Sequence, residues 1–105
     1  MQRGEIWWAD LPKPIGNRPV LILSRNEAIQ IRDIIIVSQL TTTVRHIPSE
    51  VSLKKSDGLS KDCVVNLDVI DTVPKKALTN KVTSLSFEKI QAVEKAIKFA
   101  LLINP

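Results

Sequence analysis

One cysteine, Cys63, and one histidine, His46, are all that this chain of 105 residues carries of either type. A lone cysteine closes no internal disulfide, and one histidine beside it makes no cysteine/histidine cluster for zinc. A mechanism with two histidines as acid and base is excluded on the same count. No apolar run approaches the roughly 18 residues needed to span a bilayer. The charged start, Met1-Gln2-Arg3-Gly4-Glu5, leads into no apolar core of signal-peptide length, so secretion is not expected. These absences together predict a reducing, cytoplasmic setting. P-loop, Gly-rich dinucleotide turn, G-x-S-x-G elbow and metal-spaced cluster are all missing, as are internal repeats and low-complexity segments.

What is present is ordinary for a folded domain: 44% hydrophobic and 25% charged residues. The length predicts one domain with a single modest core. Charge is the one bias. Lys and Arg number 15 against 11 Asp and Glu, a net of +4, which modestly favours a polyanionic partner such as nucleic acid.

Residues 4–11, Gly-Glu-Ile-Trp-Trp-Ala-Asp-Leu, alternate as a first strand, so the adjacent Trp7 and Trp8 face opposite sides. One enters the core; the other is free to pack under a loop or to stack on a base. Pro12 to Asn17 is a turn-rich connector. Arg18-Pro19-Val20-Leu21-Ile22-Leu23-Ser24 then reads as a strand buried on both faces, with a basic residue at its mouth. Residues 25–30 form a loop or a single helical turn. Asp33 to Thr41 holds a second aliphatic run, Ile34-Ile35-Ile36-Val37, and ends at three hydroxyls, Thr41 to Thr43. Short strands are expected over 48–53, 63–67 and 79–85, with an extended stretch over 68–73 and one helical turn over 74–78. A polar loop with a glycine at its turn spans 54–62. Ser86 caps a C-terminal helix whose buried stripe is expected at Phe87, Ile90, Val93, Ile97 and Leu101. The fold class predicted is mainly β with a C-terminal α-helix, arranged as a small, partly open barrel.

The chemistry available is that of arginine, hydroxyl and carboxylate. His46 reads as a solvated loop residue and Cys63 as a small core residue. An arginine fork binds two phosphate oxygens at once and nearby hydroxyls add hydrogen bonds. Such a set can stabilise charge on a phosphodiester when the substrate's own 2′-hydroxyl is the nucleophile.

Arg3-Gly4-Glu5-Ile6-Trp7-Trp8-Ala9-Asp10-Leu11 and Arg18 to Ser24 resemble the MazF/PemK family of toxin endoribonucleases. So does the order that follows: a strand ending in Leu40-Thr41, then Gly58-Leu59-x-x-Asp62-x-Val64-Val65, then Asp71-Thr72-Val73, then a closing helix. The resemblance covers essentially all 105 residues. It implies an SH3-like barrel of the CcdB/PemK type, a homodimer, a cognate antitoxin, and metal-independent, sequence-selective cleavage of single-stranded mRNA that stops translation and growth. No cofactor is implied. By motif position Arg18 and Thr41 match the family's catalytic arginine and threonine. Trp8, Asn17, Ser38, Thr42, Asn66 and Asp68 are the RNA contacts the resemblance implies, with a 2′,3′-cyclic phosphate as the expected product.

The chain departs from the family pattern twice. The loop Pro12 to Asn17 is short, and Asn66 stands where the PemK branch has an arginine two residues before its aspartate, here Asp68. The general base is left unassigned between Glu5, Asp68 and others. The alternatives are a non-catalytic nucleic-acid-binding barrel and a CcdB-like toxin directed at gyrase; neither needs the Arg18/Thr41 pair.

Overall fold

Strand pairing in this chain is antiparallel throughout and is organised on the two aliphatic runs. The computed structural model describes residues 1–104. In chain order the elements are β1 (Glu5–Asp10), β2 (Asn17–Ile22), α1 (Asn26–Ile31), β3 (Ile34–Thr41), β4 (Glu50–Leu53), β5 (Cys63–Asn66), β6 (Asp71–Pro74), β7 (Leu78–Ser84) and α2 (Phe87–Ala100). Short 3-10 turns occupy Lys55–Asp57 and Lys75–Ala77.

The sheet runs β4-β5-β3-β2-β1-β7, and β3 carries a second partner, β6. Ile34 to Val37 pair with β6, whereas Leu40 and Thr41 pair with β5. A strand that changes partner midway must bend, and the sheet curls into a half-barrel with a core on each side of β2. Leu21 joins Ile6, Leu40, Leu53, Val65 and Leu67 under α2. Val20 and Ile22 join Ala9, Ile29, Ile35, Val37 and Val73 on the other side, beside α1. The reading of a strand buried on both faces therefore holds for Val20 to Ile22. The ladder runs on through Leu23, whose N–H bonds the Ile36 carbonyl at 2.8 Å. Ser24 ends it by accepting the Ile36 N–H on its hydroxyl at 2.8 Å, in place of a backbone carbonyl.

Two expectations need correction, and one open reading is decided. The stretch 68–73 is not extended throughout, because Val69 N–H turns back to the Asn66 carbonyl and Asp68 N–H to Asn66 Oδ1; only Asp71–Pro74 is strand. Of the two readings of residues 25–30 the helical one holds, as a six-residue helix, Asn26–Ile31. The inward stripe of α2 is rotated: Phe87 and Leu101 are exposed, while Val93 and Ala96 are buried and Ile90, Ile97 and Ala100 pack beside them. Small alanines let the helix sit close to the sheet, and Gly4 (φ 88°) allows Ile90 a contact that a Cβ would obstruct. Ser86 caps the helix as expected, accepting the Lys89 N–H at 3.2 Å. Of the second aliphatic run, Ile35 and Val37 are buried, whereas Ile34 and Ile36 face outward.

Candidate functional site

The register of β1 against β2 sets the site. Trp8 lies opposite Pro19, Ala9 opposite Arg18, and Asp10 opposite Asn17. Alternation sends Trp7 toward the core beside α1, where its Nε1–H bonds Glu5 Oε1 at 2.9 Å. Trp8 faces the other way and stays 39% exposed. It forms one wall of a groove of about 560 Å³, together with Asn17, Arg18 and Pro19 of β2 and Leu40, Thr41 and Thr42 at the end of β3. Val82 of β7 and Cys63 also line it, and residues 58–61 supply the remaining wall.

Arg18 is held at the mouth of a stiff strand by one hydrogen bond, Nε–H to the Ile15 carbonyl at 3.4 Å. The terminal guanidinium nitrogens have no partner among the described residues, so the fork is free for a ligand. Thr41 Oγ1 accepts the Thr43 N–H at 3.1 Å. This local turn orients the oxygen and leaves the hydroxyl proton to donate elsewhere. Five residues expected at the site, Arg18, Thr41, Trp8, Asn17 and Thr42, are therefore gathered on one surface.

The other three are not. Ser38 is sealed in the core at 1% exposure, where its hydroxyl lies 3.0 Å from the Asn66 carbonyl and 2.8 Å from that of Val69. Asn66 is buried and holds the Asp68 N–H; the Asp68 carboxylate accepts the Ser49 hydroxyl at 2.7 Å. This trio builds the turn between β5 and β6 and does not line the groove.

Neither candidate base reaches the groove. Glu5 is buried on β1, accepting the Gln2 N–H and Trp7 Nε1–H and pairing with Lys81 at 3.1 Å. Burial alone would raise its pKa, but the bonds to Trp7 and Gln2 and the Lys81 charge outweigh it and hold the carboxyl below its usual value. Among the described residues no carboxylate or imidazole lines the groove. His46 sits outside it, exposed on the loop between β3 and β4, its N–H bonded to Glu50. The Cys63 thiol is pushed up, chiefly by burial and then by Asp62, against a smaller opposing pull from Lys61. It stays protonated and unreactive at neutral pH. Among the described residues no three His, Cys, Asp or Glu side chains are grouped to hold a metal ion.

Sequence reasoning passed over Ser60 and Lys61, which stand on the groove wall. They lie in the segment read as a polar loop. The only local sign was Gly58, whose φ of 98° turns the chain toward the groove.

Half-barrel and groove together define a small β-protein with a cationic, acid-free cleft suited to an anionic ligand. Comparison with known proteins makes the assignment specific. Residues 2–101 match the model of the PemK-like, MazF-like toxins of type II toxin–antitoxin systems. The chain is 37% identical over 100 residues to a probable endoribonuclease, MazF5, of Mycobacterium tuberculosis, covering 94% of this chain and 91% of that one. The structure superposes with a TM-score of 0.90 on a mycobacterial endoribonuclease solved in complex with its cognate antitoxin, at 30% identity, covering 100% of this chain and 98% of the other. It also matches the M. tuberculosis toxin MazF-mt6 at a TM-score of 0.88 and 31% identity, covering 96% of this chain and 99% of that toxin. The chain belongs to the MazF/PemK family of toxins.

Proposed function

We propose that this chain, acting as a single toxin domain, is an endoribonuclease that cuts single-stranded mRNA in the Trp8/Arg18/Thr41 groove, and that a cognate antitoxin silences it by covering that groove. One observation carries the reading: a free guanidinium fork and a free hydroxyl proton share an acid-free groove beside an exposed indole. The relatives named endoribonucleases, and the one solved with its antitoxin, support it. An unpaired RNA strand lies in the groove with a base stacked on Trp8, and Asn17 and Thr42 contact the strand on either side of the cut.

The reaction is an internal transesterification. The ribose 2′-oxygen forms a bond to phosphorus and loses its proton to water, since no carboxylate or imidazole among the described residues of this protomer lines the groove. The bond from phosphorus to the 5′-oxygen breaks, and that oxygen takes a proton from solvent. The products are a 2′,3′-cyclic phosphate and a 5′-hydroxyl. Arg18 is bidentate on the non-bridging oxygens, where negative charge grows in the transition state. A guanidinium does not give up its proton in a protein, so its part is electrostatic. Thr41 donates its hydroxyl proton to the same phosphate. The chemistry needs no metal. The enzyme works as a homodimer in the cytoplasm, where mRNA is found.

Incubating micromolar protein with mixed RNA in EDTA tests the reading. Cleavage that disappears in Arg18→Ala is expected. Intact RNA with the unmodified protein overturns the nuclease reading, and persistent cleavage by Arg18→Ala overturns the part given to that residue.

A further inference from the structure

We propose that Lys61 is a second phosphate-binding residue of the groove, holding a phosphate next to the one being cut. The inference rests on the nuclease reading and adds a contact to it. Lys61 lines the groove on the wall opened by Gly58, and with Arg18 it is one of the two cations among the lining residues. It makes no hydrogen bond or ion pair among the described residues, although carboxylates lie close by in sequence.

Those carboxylates are committed elsewhere. Asp62, its chain neighbour, accepts the Lys55 N–H at 3.2 Å and faces Lys54 Nζ at 3.8 Å. Asp57 accepts the Lys54 N–H at 2.8 Å and faces Lys89 of α2 at 3.8 Å. Lys89 in turn donates to the Ser52 carbonyl at 2.7 Å. The acids are thus used to brace the loop, and none is left to neutralise Lys61. Thr83 of β7 donates its hydroxyl to the Asp57 carbonyl at 3.1 Å, which ties the same loop to the sheet. Lys61 therefore projects from a supported backbone as an unpaired cation.

Two unneutralised cations in one cleft repel each other and raise the local positive potential, which is offset only when an anion enters. Arg18 and Thr41 already account for the phosphate under attack. A flexible ammonium on the neighbouring wall suits the next phosphate along the strand, as a point charge without base preference. Its loss therefore acts on binding rather than on the chemical step.

The test measures salt dependence. A fluorescein-labelled 2′-O-methyl RNA 20-mer of mixed sequence cannot be cut, and its binding is followed by anisotropy across a KCl series. Each phosphate contact on a single strand contributes about 0.7 to the slope of log affinity against log salt. Lys61→Met is expected to lower that slope by about 0.7 and to weaken binding about tenfold at low salt. Lys61→Arg is expected to restore both. In cleavage of mixed RNA, Lys61→Met raises KM about tenfold and leaves kcat within about threefold. Lys98→Met, on the exposed face of α2, serves as the control for charge alone. An unchanged slope in Lys61→Met while the unmodified protein still cuts RNA overturns the proposal and spares the nuclease reading. An equal loss of slope in Lys98→Met also overturns it. If the unmodified protein neither binds nor cuts RNA, the nuclease reading fails and the proposal with it.

Discussion

Thr41 receives the Thr43 N–H on its side-chain oxygen at 3.1 Å, a bond that spends a lone pair and leaves the proton. The hydroxyl is oriented before any substrate arrives. Thr41→Val keeps the shape of the side chain and removes both functions, so kcat is expected to fall about 10- to 100-fold, a range typical of one lost transition-state donor. Thr41→Ser is expected to retain most of the rate, because serine can form the same turn. Single-turnover cleavage of mixed RNA by the two variants separates the cases. Equal rates for valine and serine would remove the hydroxyl from the mechanism.

Trp8 packs opposite Pro19 and remains 39% exposed, so its indole is available at little conformational cost. Stacking of a base on an aromatic ring contributes about 1–3 kcal/mol. Trp8→Ala should therefore weaken binding of the uncleavable 20-mer by about 10- to 100-fold while hardly moving Tm. Trp7→Ala should do the reverse, since Trp7 packs against the core beside α1 and bonds Glu5. Anisotropy and thermal denaturation of both variants give the comparison.

Glu5 links stability to pH. Its carboxyl in the folded protein lies below the ordinary value of 4.5, so the charged form stabilises the fold. That stabilisation is complete above about 4.5 and is lost as pH falls through the lower, folded value. Glu5→Gln loses the ion pair with Lys81, and the expected cost at pH 7 is about 1–3 kcal/mol. Urea unfolding should show that gap closing as both proteins are brought to acid pH. A gap that widens on acidification would contradict the assignment.

Gly58 adopts φ 98°, and a Cβ there would run into the Thr83 side chain. Gly58→Ala combines left-handed strain with that clash, so a loss of about 1–3 kcal/mol is expected. Because the loop forms a groove wall, RNA affinity should fall along with stability. Urea titration and anisotropy on the same preparation would show whether the two losses coincide.

The aliphatic runs made the centre of the fold legible, because a strand such as Val20 to Ile22 has no polar face to misread. Arg18 and Thr41 were readable as strand ends, and strand ends in a curled sheet converge. The turn after β5 was not readable. Alternation continues through Asn66, Leu67 and Asp68 in the sequence, but side-chain bonds from Ser38 and Asn66 break the extension, and pattern carries no trace of them. The same holds for the helix stripe. Apolar spacing favoured Phe87 and Leu101, whereas close packing selected Ala96 and Ala100. Lys61 was hidden for a different reason: a lysine in a polar loop looks like solvated charge until its neighbours' carboxylates are seen to be engaged elsewhere.

The first strand of the chain, β1, pairs on one side with β2 and on the other with β7, the last strand. A nascent chain therefore exposes Arg18 and Thr41 long before it owns a groove. Val82 of β7 completes the lining, and Thr83 and Lys89 brace the loop that carries Lys61. All three residues leave the ribosome well after Arg18 and Thr41. The cleft is thus assembled only once β7 and α2 have been made, so a polypeptide that stops short of them carries both strand ends with no groove between them.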